Sequence, residues 1–224
     1  MNDFLADPDL SKLNAEFEKL TFQDRMNRLF EMFDPEDILI TTSLGSTSSI
    51  LLHLLSNSAK DHPVYLINTG YLFEETLTHR KVIENKLGIR IEDVNPAHNK
   101  HQFTFENTSW NRNNDLCCFV NKVDPMNKLK KGKKIWISGL LRFQNENRRH
   151  LNIFHETDGL IKFHPIIDMK QEDVGLYHQV FELPVNSLFY QGYGSIGCHH
   201  CTAKGEGREG RWLNAQKTEC GLHL

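Results

Sequence analysis

Five cysteines fall in a pattern that can do chemistry. Cys117 and Cys118 are adjacent, Cys198 and Cys201 bracket His199-His200 in a C-x-x-C loop, and Cys220 stands apart near the end of the sequence. Two close pairs of thiolates can surround one metal centre, and such sets are the usual ligands of zinc and of iron–sulfur clusters. Structural zinc sites favour small gaps between ligands, so the adjacency of Cys117 and Cys118 tilts the reading toward a cubane cluster, which offers each sulfur its own iron. A zinc staple and buried, unligated cysteines are the competing readings. A redox dithiol would normally open a helix after a strand, which the glycine-rich surroundings of Cys198 do not suggest. Cys220, in Glu219-Cys220-Gly221-Leu222-His223-Leu224, is a candidate nucleophile. Attack on sulfur needs a thiolate, and His223, Arg208 and Arg211 are sequence neighbours able to lower its pKa. A stray exposed cysteine is the alternative there.

A second group of residues suits an anion. The loop Thr41-Thr42-Ser43-Leu44-Gly45-Ser46-Thr47-Ser48-Ser49 is packed with hydroxyls, and Asn68-Thr69-Gly70 forms another small loop. Backbone N–H groups at a helix start, ringed by small hydroxyl side chains, cradle phosphate. No Gly-Lys-Ser/Thr ending and no G-x-G-x-x-G is present, so neither the triphosphatase loop nor the dinucleotide fingerprint applies. Two such loops side by side suit an adenosine nucleotide, with a plain Ser/Thr helix cap as the alternative. Arg142, Arg148, Arg149, Arg208 and Arg211 lie in expected loops, where a forked guanidinium can hold phosphate or sulfate. Lys122, one turn past Cys118, can link the cysteines to that ligand.

The elements that must position these residues alternate. Apolar positions Leu10, Leu13, Phe17 and Leu20, then Met26, Leu29, Phe30 and Phe33, predict amphipathic helices broken near Thr21 and Phe22. Strands are expected at 37–42, 64–67, 89–94 and 135–139, with helices over 46–58, 74–87 and 115–122. Residues 142–152 read as a polar loop. Asp168 with Gln171 reads as a capping box opening a last helix, with Val174, Tyr177, His178 and Phe181 on one face. Strands alternating with helices mean an α/β fold: a mostly parallel, twisted sheet flanked by helices with right-handed crossovers. The expected organisation is an N-terminal helical segment over 1–34, a nucleotide-binding domain over 35–190, and a C-x-x-C loop with a catalytic tail over 191–224. Seven glycines between Gln191 and Leu224 predict that this last part is a loop and mobile tail.

Taken together, Cys117-Cys118, Cys198-x-x-Cys201, Arg208-Glu209-Gly210-Arg211-Trp212 and Glu219-Cys220-Gly221-Leu222-His223 resemble the assimilatory adenylyl-sulfate reductases of bacteria, relatives of the phosphoadenylyl-sulfate reductases. The resemblance implies an adenine-nucleotide α-hydrolase-like fold and a [4Fe–4S] cluster on Cys117, Cys118, Cys198 and Cys201. It implies that Cys220 attacks adenosine 5′-phosphosulfate, expelling AMP and becoming S-sulfocysteine, from which a thioredoxin- or glutaredoxin-type dithiol releases sulfite. Substrate positions carry over to Lys122, Arg142, Arg208 and Arg211, with Ile67 and Gly70 in the adenosine loop; Thr42, Ser43, Gly45, Thr69 and His223 complete the expected site. The chain departs from the pattern in three places. Thr42-Ser43-Leu44-Gly45 stands for the usual Ser-x-Ser-Gly, Leu141-Arg142 for a pair of arginines, and Asn121 where a basic residue often precedes the lysine.

Composition narrows the rest. Apolar residues at 39% and charged residues at 25% are ordinary for a globular protein, and a net charge of −3 gives no basic footprint for nucleic acid or membrane. The longest apolar run, 50–55, is interrupted by His53, and three aspartates precede Leu10 where a signal peptide would be basic and then apolar, so a cytoplasmic address is expected. That reducing setting favours metal or catalytic thiols over disulfides. Oligomeric state is not legible, and a homo-oligomer stays open. Rival readings are a 3′-phosphoadenosine 5′-phosphosulfate reductase, whose dedicated enzymes generally lack the four cluster cysteines, and an ATP pyrophosphatase of sulfur transfer, whose S-G-G-x-D-S motif and basic surface are missing. A non-catalytic, metal-stapled binding module is a third.

Overall fold

The computed structural model describes residues 9–212 together with Gly221 and Leu222. Two helices come first, α1 (Leu10–Phe17) and α2 (Phe22–Met32). The break between them follows from Thr21, whose hydroxyl accepts the Asp24 N–H and so starts a new helix. The stripe facing inward is the one the periodicity requires: Leu13, Phe17, Met26, Leu29 and Phe33 are buried in the main core. Phe17 meets Phe154 edge to face at 4.7 Å between ring centroids.

Six strands form one sheet in the order β3-β2-β1-β4-β6-β5. The first five are parallel to one another: β3 (Ile91–Val94), β2 (Val64–Ile67), β1 (Ile38–Thr42), β4 (Ile135–Ile137) and β6 (Leu160–Phe163). β5 (Phe154–Thr157) closes the edge antiparallel to β6. The central strands are apolar where they cross the core, with Ile38, Leu39, Ile40, Ile135, Trp136 and Ile137 all buried, as strands covered on both faces must be, and β1 turns polar only at Thr41 and Thr42 beside the crevice. α3 (Ser48–Ser58) and α4 (Glu74–Leu87) cross between the first strands. From β1 the chain runs outward to β2 and β3, then returns to place β4 on the other side of β1. The carboxyl ends of β1 and β4 are therefore a topological switch point, where open α/β sheets leave a crevice.

Between β3 and β4 lie α5 (His98–Glu106), α6 (Ser109–Arg112), α7 (Asn114–Cys118) and α8 (Asp124–Leu129). α7 and α8 are joined without a break by a turn of π-helix, Phe119–Val123, which carries Lys122 directly after the paired cysteines. Such turns insert one residue into the ladder and cluster at functional sites.

Several expectations need correcting. Residues 154–163 form a hairpin, β5–β6, that the periodicity does not predict; Asp158-Gly159, both with positive φ (54° and 73°), form its turn. The last helix, α9 (Gln171–Val180), starts after Lys170 and has no side-chain cap, so Asp168 and Gln171 make no capping box. Asp168 instead takes two hydrogen bonds from the Arg25 guanidinium, at 2.6 and 2.9 Å. Within 191–212, the glycines do not mark a mobile tail. A bridge joins Leu72 to Cys198, others join Tyr193 to Gly205 and Thr202 to Arg211, and Trp212 is buried. At Gly194 a side chain would run into the backbone of Gly205 and Gly207, so this glycine permits close packing of two strands of loop. The expectation of a mobile segment beyond Trp212 lies outside the described residues except at Gly221 and Leu222. No described helix is long and apolar enough to cross a membrane.

Candidate functional site

The crevice at the switch point opens into a cleft of about 1270 Å³, part of it open solvent. Its floor is the hydroxyl loop: Thr42, Ser43 and Gly45 line it, followed by Ser46, Thr47 and Ser48 at the start of α3. Leu44 forces this shape. Its backbone is left-handed (φ 53°) while its side chain is fully buried, and its N–H and C=O are held by Thr42 Oγ1 and Asn186 Nδ2. Ile67 and Leu66 from β2 and Trp136 from β4 supply apolar wall. Trp136 is fixed by an indole N–H to Thr41 Oγ1 at 2.8 Å.

Positive charge enters from three directions. Lys122 comes from the π-turn, Arg208 and Arg211 from the C-terminal loop, and Arg148 from the loop after β4. Arg208 and Arg211 are steered by the buried Trp212, over whose ring their guanidinium carbons lie at 5.5 and 4.3 Å. Arg211 also donates to Ser195 Oγ and the Ile196 carbonyl, and its guanidinium occupies the space a side chain on Gly197 would need. Arg142 does not line the cleft. Its Nε donates to the Leu151 carbonyl, while Arg148, 7% exposed and bonded to Gln144 Oε1 at 2.6 Å, does. Ser138 is another wall residue with no motif to announce it. Its hydroxyl lies 2.9 Å from Nδ1 of fully buried His164, which burial pushes down to about 3, so the imidazole there is neutral.

Beside the cleft, Cys117, Cys118, Cys198 and Cys201 line one small cavity. None of the four is in a disulfide, and all but Cys201 are buried. Lys122 and Trp212 belong to the walls of both cavities and so join them. Thr69, a second expected nucleotide contact, belongs to the cysteine side: its hydroxyl is 3.3 Å from Cys198 Sγ. Neither it nor Gly70 lines the cleft. Burial pushes the Cys117 thiol up to about 12, and the neighbouring charges of Cys118, Cys198 and Cys201 act the same way, with only a hydrogen bond from Asn121 opposing them. Cys201 is raised by burial and by Cys198 and Cys118, while Lys122 and Arg211 pull it back. Thiols held protonated in this way at Cys117 and Cys201, beside Cys118 and Cys198, form a donor set that a metal centre would deprotonate. Among the described residues, no group of three or more His, Cys, Asp or Glu is spaced to hold a single metal ion. Cys220 and His223 lie outside the described residues, but Leu222 lines the cleft.

Residues 37–204 match the phosphoadenosine phosphosulfate reductase domain. The chain belongs to that family. Among curated members, the adenosine 5′-phosphosulfate reductase of Geobacillus thermodenitrificans is 36% identical over 84% of each chain. Adenosine 5′-phosphosulfate reductase 2 of Bacillus subtilis is 34% identical, again over 84% of each. The Staphylococcus epidermidis adenosine 5′-phosphosulfate reductase is 29% identical over the whole of this chain and 95% of its own. Among solved structures, the phosphoadenylyl-sulfate reductase of Candida auris superposes with a TM-score of 0.74 at 24% identity, over 89% of this chain and 98% of that one. The FMN adenylyltransferase of Candida glabrata shares the fold more distantly, with a TM-score of 0.57 at 13% identity over 90% of this chain and 69% of its own. Within this phosphoadenosine phosphosulfate reductase scaffold, two of the unusual residues have structural reasons. Leu141 is fully buried in the main hydrophobic core, where a charged side chain would be costly. Asn121, 1% exposed, bonds through its amide to the Cys117 carbonyl, the Thr104 hydroxyl and, at 3.6 Å, Cys117 Sγ. It holds a cysteine in place of adding a charge.

Proposed function

We propose that this protein reduces adenosine 5′-phosphosulfate to sulfite and AMP in sulfate assimilation, with Cys220 as the nucleophile. The observation that carries the reading is the meeting, in one cleft, of the hydroxyl loop, Lys122, Arg208, Arg211 and Leu222. The nucleotide phosphate would sit at the start of α3, where backbone N–H groups and hydroxyls offer donors. The sulfate would face Lys122 and the two arginines. Leu222 belongs to the wall of the cleft, and Cys220 precedes it by two residues.

The thiolate of Cys220 would attack the sulfate sulfur, forming an S–S bond as the bond from that sulfur to the phosphate oxygen breaks. AMP leaves with the bonding pair, and the cations offset the charge that builds on both oxygens. A dithiol of the thioredoxin or glutaredoxin type would then attack Cys220 Sγ, releasing sulfite and closing to its own disulfide. The dithiol thereby supplies both electrons. Cys117, Cys118, Cys198 and Cys201 would hold a [4Fe–4S] cluster, which suits thiols that share a cavity yet do not converge on one ion. Bound there, the cluster would cross-link α7 to the C-terminal loop and set the field at Lys122. A reducing, cytoplasmic setting agrees with four cysteines that form no disulfide.

The test is incubation of the anaerobically purified protein with sulfur-radiolabelled adenosine 5′-phosphosulfate in the absence of a dithiol. One label per chain on the wild type, none on C220S, and release as sulfite by thioredoxin are expected. Equal labelling of C220S would sink the assignment. The same preparation should be brown, with about four irons per chain.

A further inference from the structure

Ser138 and His164 form a buried couple beside the cleft that the proposed reaction does not use. Ser138 follows β4 directly, at the carboxyl end of the sheet, and belongs to the cleft wall although it is only 4% exposed. His164 follows β6, the neighbouring strand, and is fully buried. The backbone fixes both. The Ser138 N–H donates to the Phe163 carbonyl at 3.1 Å, and the His164 N–H to the Ile153 carbonyl at 2.7 Å. The side chains then meet, with Ser138 Oγ 2.9 Å from His164 Nδ1. Among the described residues this is the one hydrogen bond of the Ser138 hydroxyl, and the far ring nitrogen, Nε2, is buried without a partner.

A neutral imidazole carries one ring N–H, and its two possible places have different consequences. On Nε2 the hydrogen would be a buried donor with nothing to accept it, and Ser138 would spend its own hydrogen on Nδ1. On Nδ1 it is donated to Ser138, and the vacancy left at Nε2 is an empty acceptor, a commoner defect of native interiors than an orphaned N–H. The surroundings agree. Burial pushes His164 down to about 3, and Lys162, His155 and Arg148 act the same way, with only the Ser138 backbone favouring a proton on the ring. The hydroxyl therefore accepts from Nδ1 and keeps a hydrogen that no described residue takes.

The place of Ser138 selects what takes it. β1 lies between β2 and β4, so a nucleotide with its phosphate on the loop after β1 lays its nucleoside over the ends of these strands. Leu66 and Ile67 of β2 wall one side of that space, and Ser138 the other. We propose that Ser138 donates a hydrogen bond to the nucleoside of the bound nucleotide, and that His164 is the positioning residue that leaves its hydrogen free to do so. The assignment rests on the nucleotide reading of the cleft. The nucleoside is unchanged by the reaction, so the bond contributes equally before and at the transition state, and its loss raises KM without lowering kcat.

Calorimetric titration with AMP and steady-state kinetics of the full-length wild type, S138A, S138T, H164L and H164N provide the test. Threonine keeps the hydroxyl, and the asparagine amide can place an N–H where Nδ1–H lies. S138A and H164L are expected to weaken AMP roughly three- to tenfold, the range of a neutral hydrogen bond, and to raise KM by the same factor with kcat held within about twofold. S138T and H164N are expected to stay within about twofold of the wild type. S138A/H164L should lose no more than S138A alone, because His164 acts through the hydroxyl. An S138A protein that binds AMP as the wild type does overturns the proposal, as does an H164L loss that adds in full to that of S138A. Should H164L fold poorly, S138A and S138T still decide it. A second readout needs no ligand: in isotope-labelled protein, NMR of the His164 ring nitrogens, assigned by their absence from H164N, is expected to show the hydrogen on Nδ1, and a hydrogen on Nε2 overturns the assignment. A wild type that does not bind AMP overturns the nucleotide reading, and this contact with it.

Discussion

At the scale of single residues, the cleft depends on arginines that are aimed by their neighbours. Arg211 is held by the Trp212 ring, Ser195 and the Ile196 carbonyl, and its Nε has no partner among the described residues. The missing side chain at Gly197 gives it room. Replacing Gly197 with alanine places a methyl group where the guanidinium now lies, so Arg211 must swing away. Losing a hydrogen bond to a charged group costs about 1.5–3 kcal/mol, which corresponds to roughly ten- to hundredfold in kcat/KM for adenosine 5′-phosphosulfate. The thermal midpoint should move little, because the methyl displaces a side chain and no backbone. A G197A protein with unchanged kcat/KM would show that Arg211 does not face the substrate. The sequence announced Arg211 through its neighbours but was silent about Gly197, since the requirement arises only when two loops approach in space. Arg148 and Arg142 differ for a related reason. Both sit in one polar loop, and tertiary hydrogen bonds separate them: the Leu151 carbonyl takes Arg142, while Gln144, itself a wall residue, takes Arg148 at the cleft.

At the scale of elements, the N-terminal helices are tied to the far end of the sheet by one buried ion pair. Arg25 on α2 is 2% exposed and donates to the Phe17 and Pro165 carbonyls as well as to both oxygens of Asp168. Burial alone would raise the Asp168 carboxyl, but the hydrogen bonds and charge of Arg25 outweigh it and hold the group below its ordinary value of 3.8. D168N leaves a guanidinium buried without its counter-charge, a loss of about 3–5 kcal/mol in unfolding free energy at neutral pH. Because the folded pKa is depressed, the stabilisation is present above the ordinary carboxylate value and fades as pH falls through the folded one. Denaturant melts of D168N and wild type should therefore differ at pH 7 and converge toward pH 3; a constant gap would refute the pairing. This contact also explains why α9 begins at Gln171 and not at the local cap signal. Asp168 followed by Gln171 is a sound local cap signal, but a partner 143 residues away claims the carboxylate. Elements governed by local rules were legible: β2 and α4 have the bounds their patterns predict. The β5–β6 hairpin was missed because His155 and Glu156 face solvent, leaving too little alternation to see, although its Asp-Gly turn was a usable signal.

For the molecule as a whole, the parallel sheet and its switch point followed from the alternation of strands and helices, and with them the place of the cleft. What the alternation does not convey is how much of the interior is polar. Besides His62, whose ring nitrogens meet the Pro63 and Pro35 carbonyls, three further histidines are packed inside: His164 on the segment after β6, His79 on α4 and His178 on α9. Each keeps an Nε2 without a partner among the described residues. Burial lowers all three, pushing His164 down to about 3 and, with the charge of His178 adding to it, His79 down to about 4. Unfolded, they would titrate near the ordinary 6.5. Below that value the unfolded chain binds protons that the native state refuses, so stability must fall as pH drops from 6.5 toward 4. Each such proton removes about 1.4 kcal/mol per pH unit. Two strongly shifted histidines therefore predict a slope of about 2.7 kcal/mol per unit across pH 5.5 to 4.5, steeper than Asp168 can produce because its own window lies lower. Urea melts of the wild type and of H79Q through this range provide the measurement. H79Q should lose about one proton's worth of slope, and a wild-type curve flat from pH 6.5 to 4.5 would mean that the histidines are hydrated and charged in the native protein.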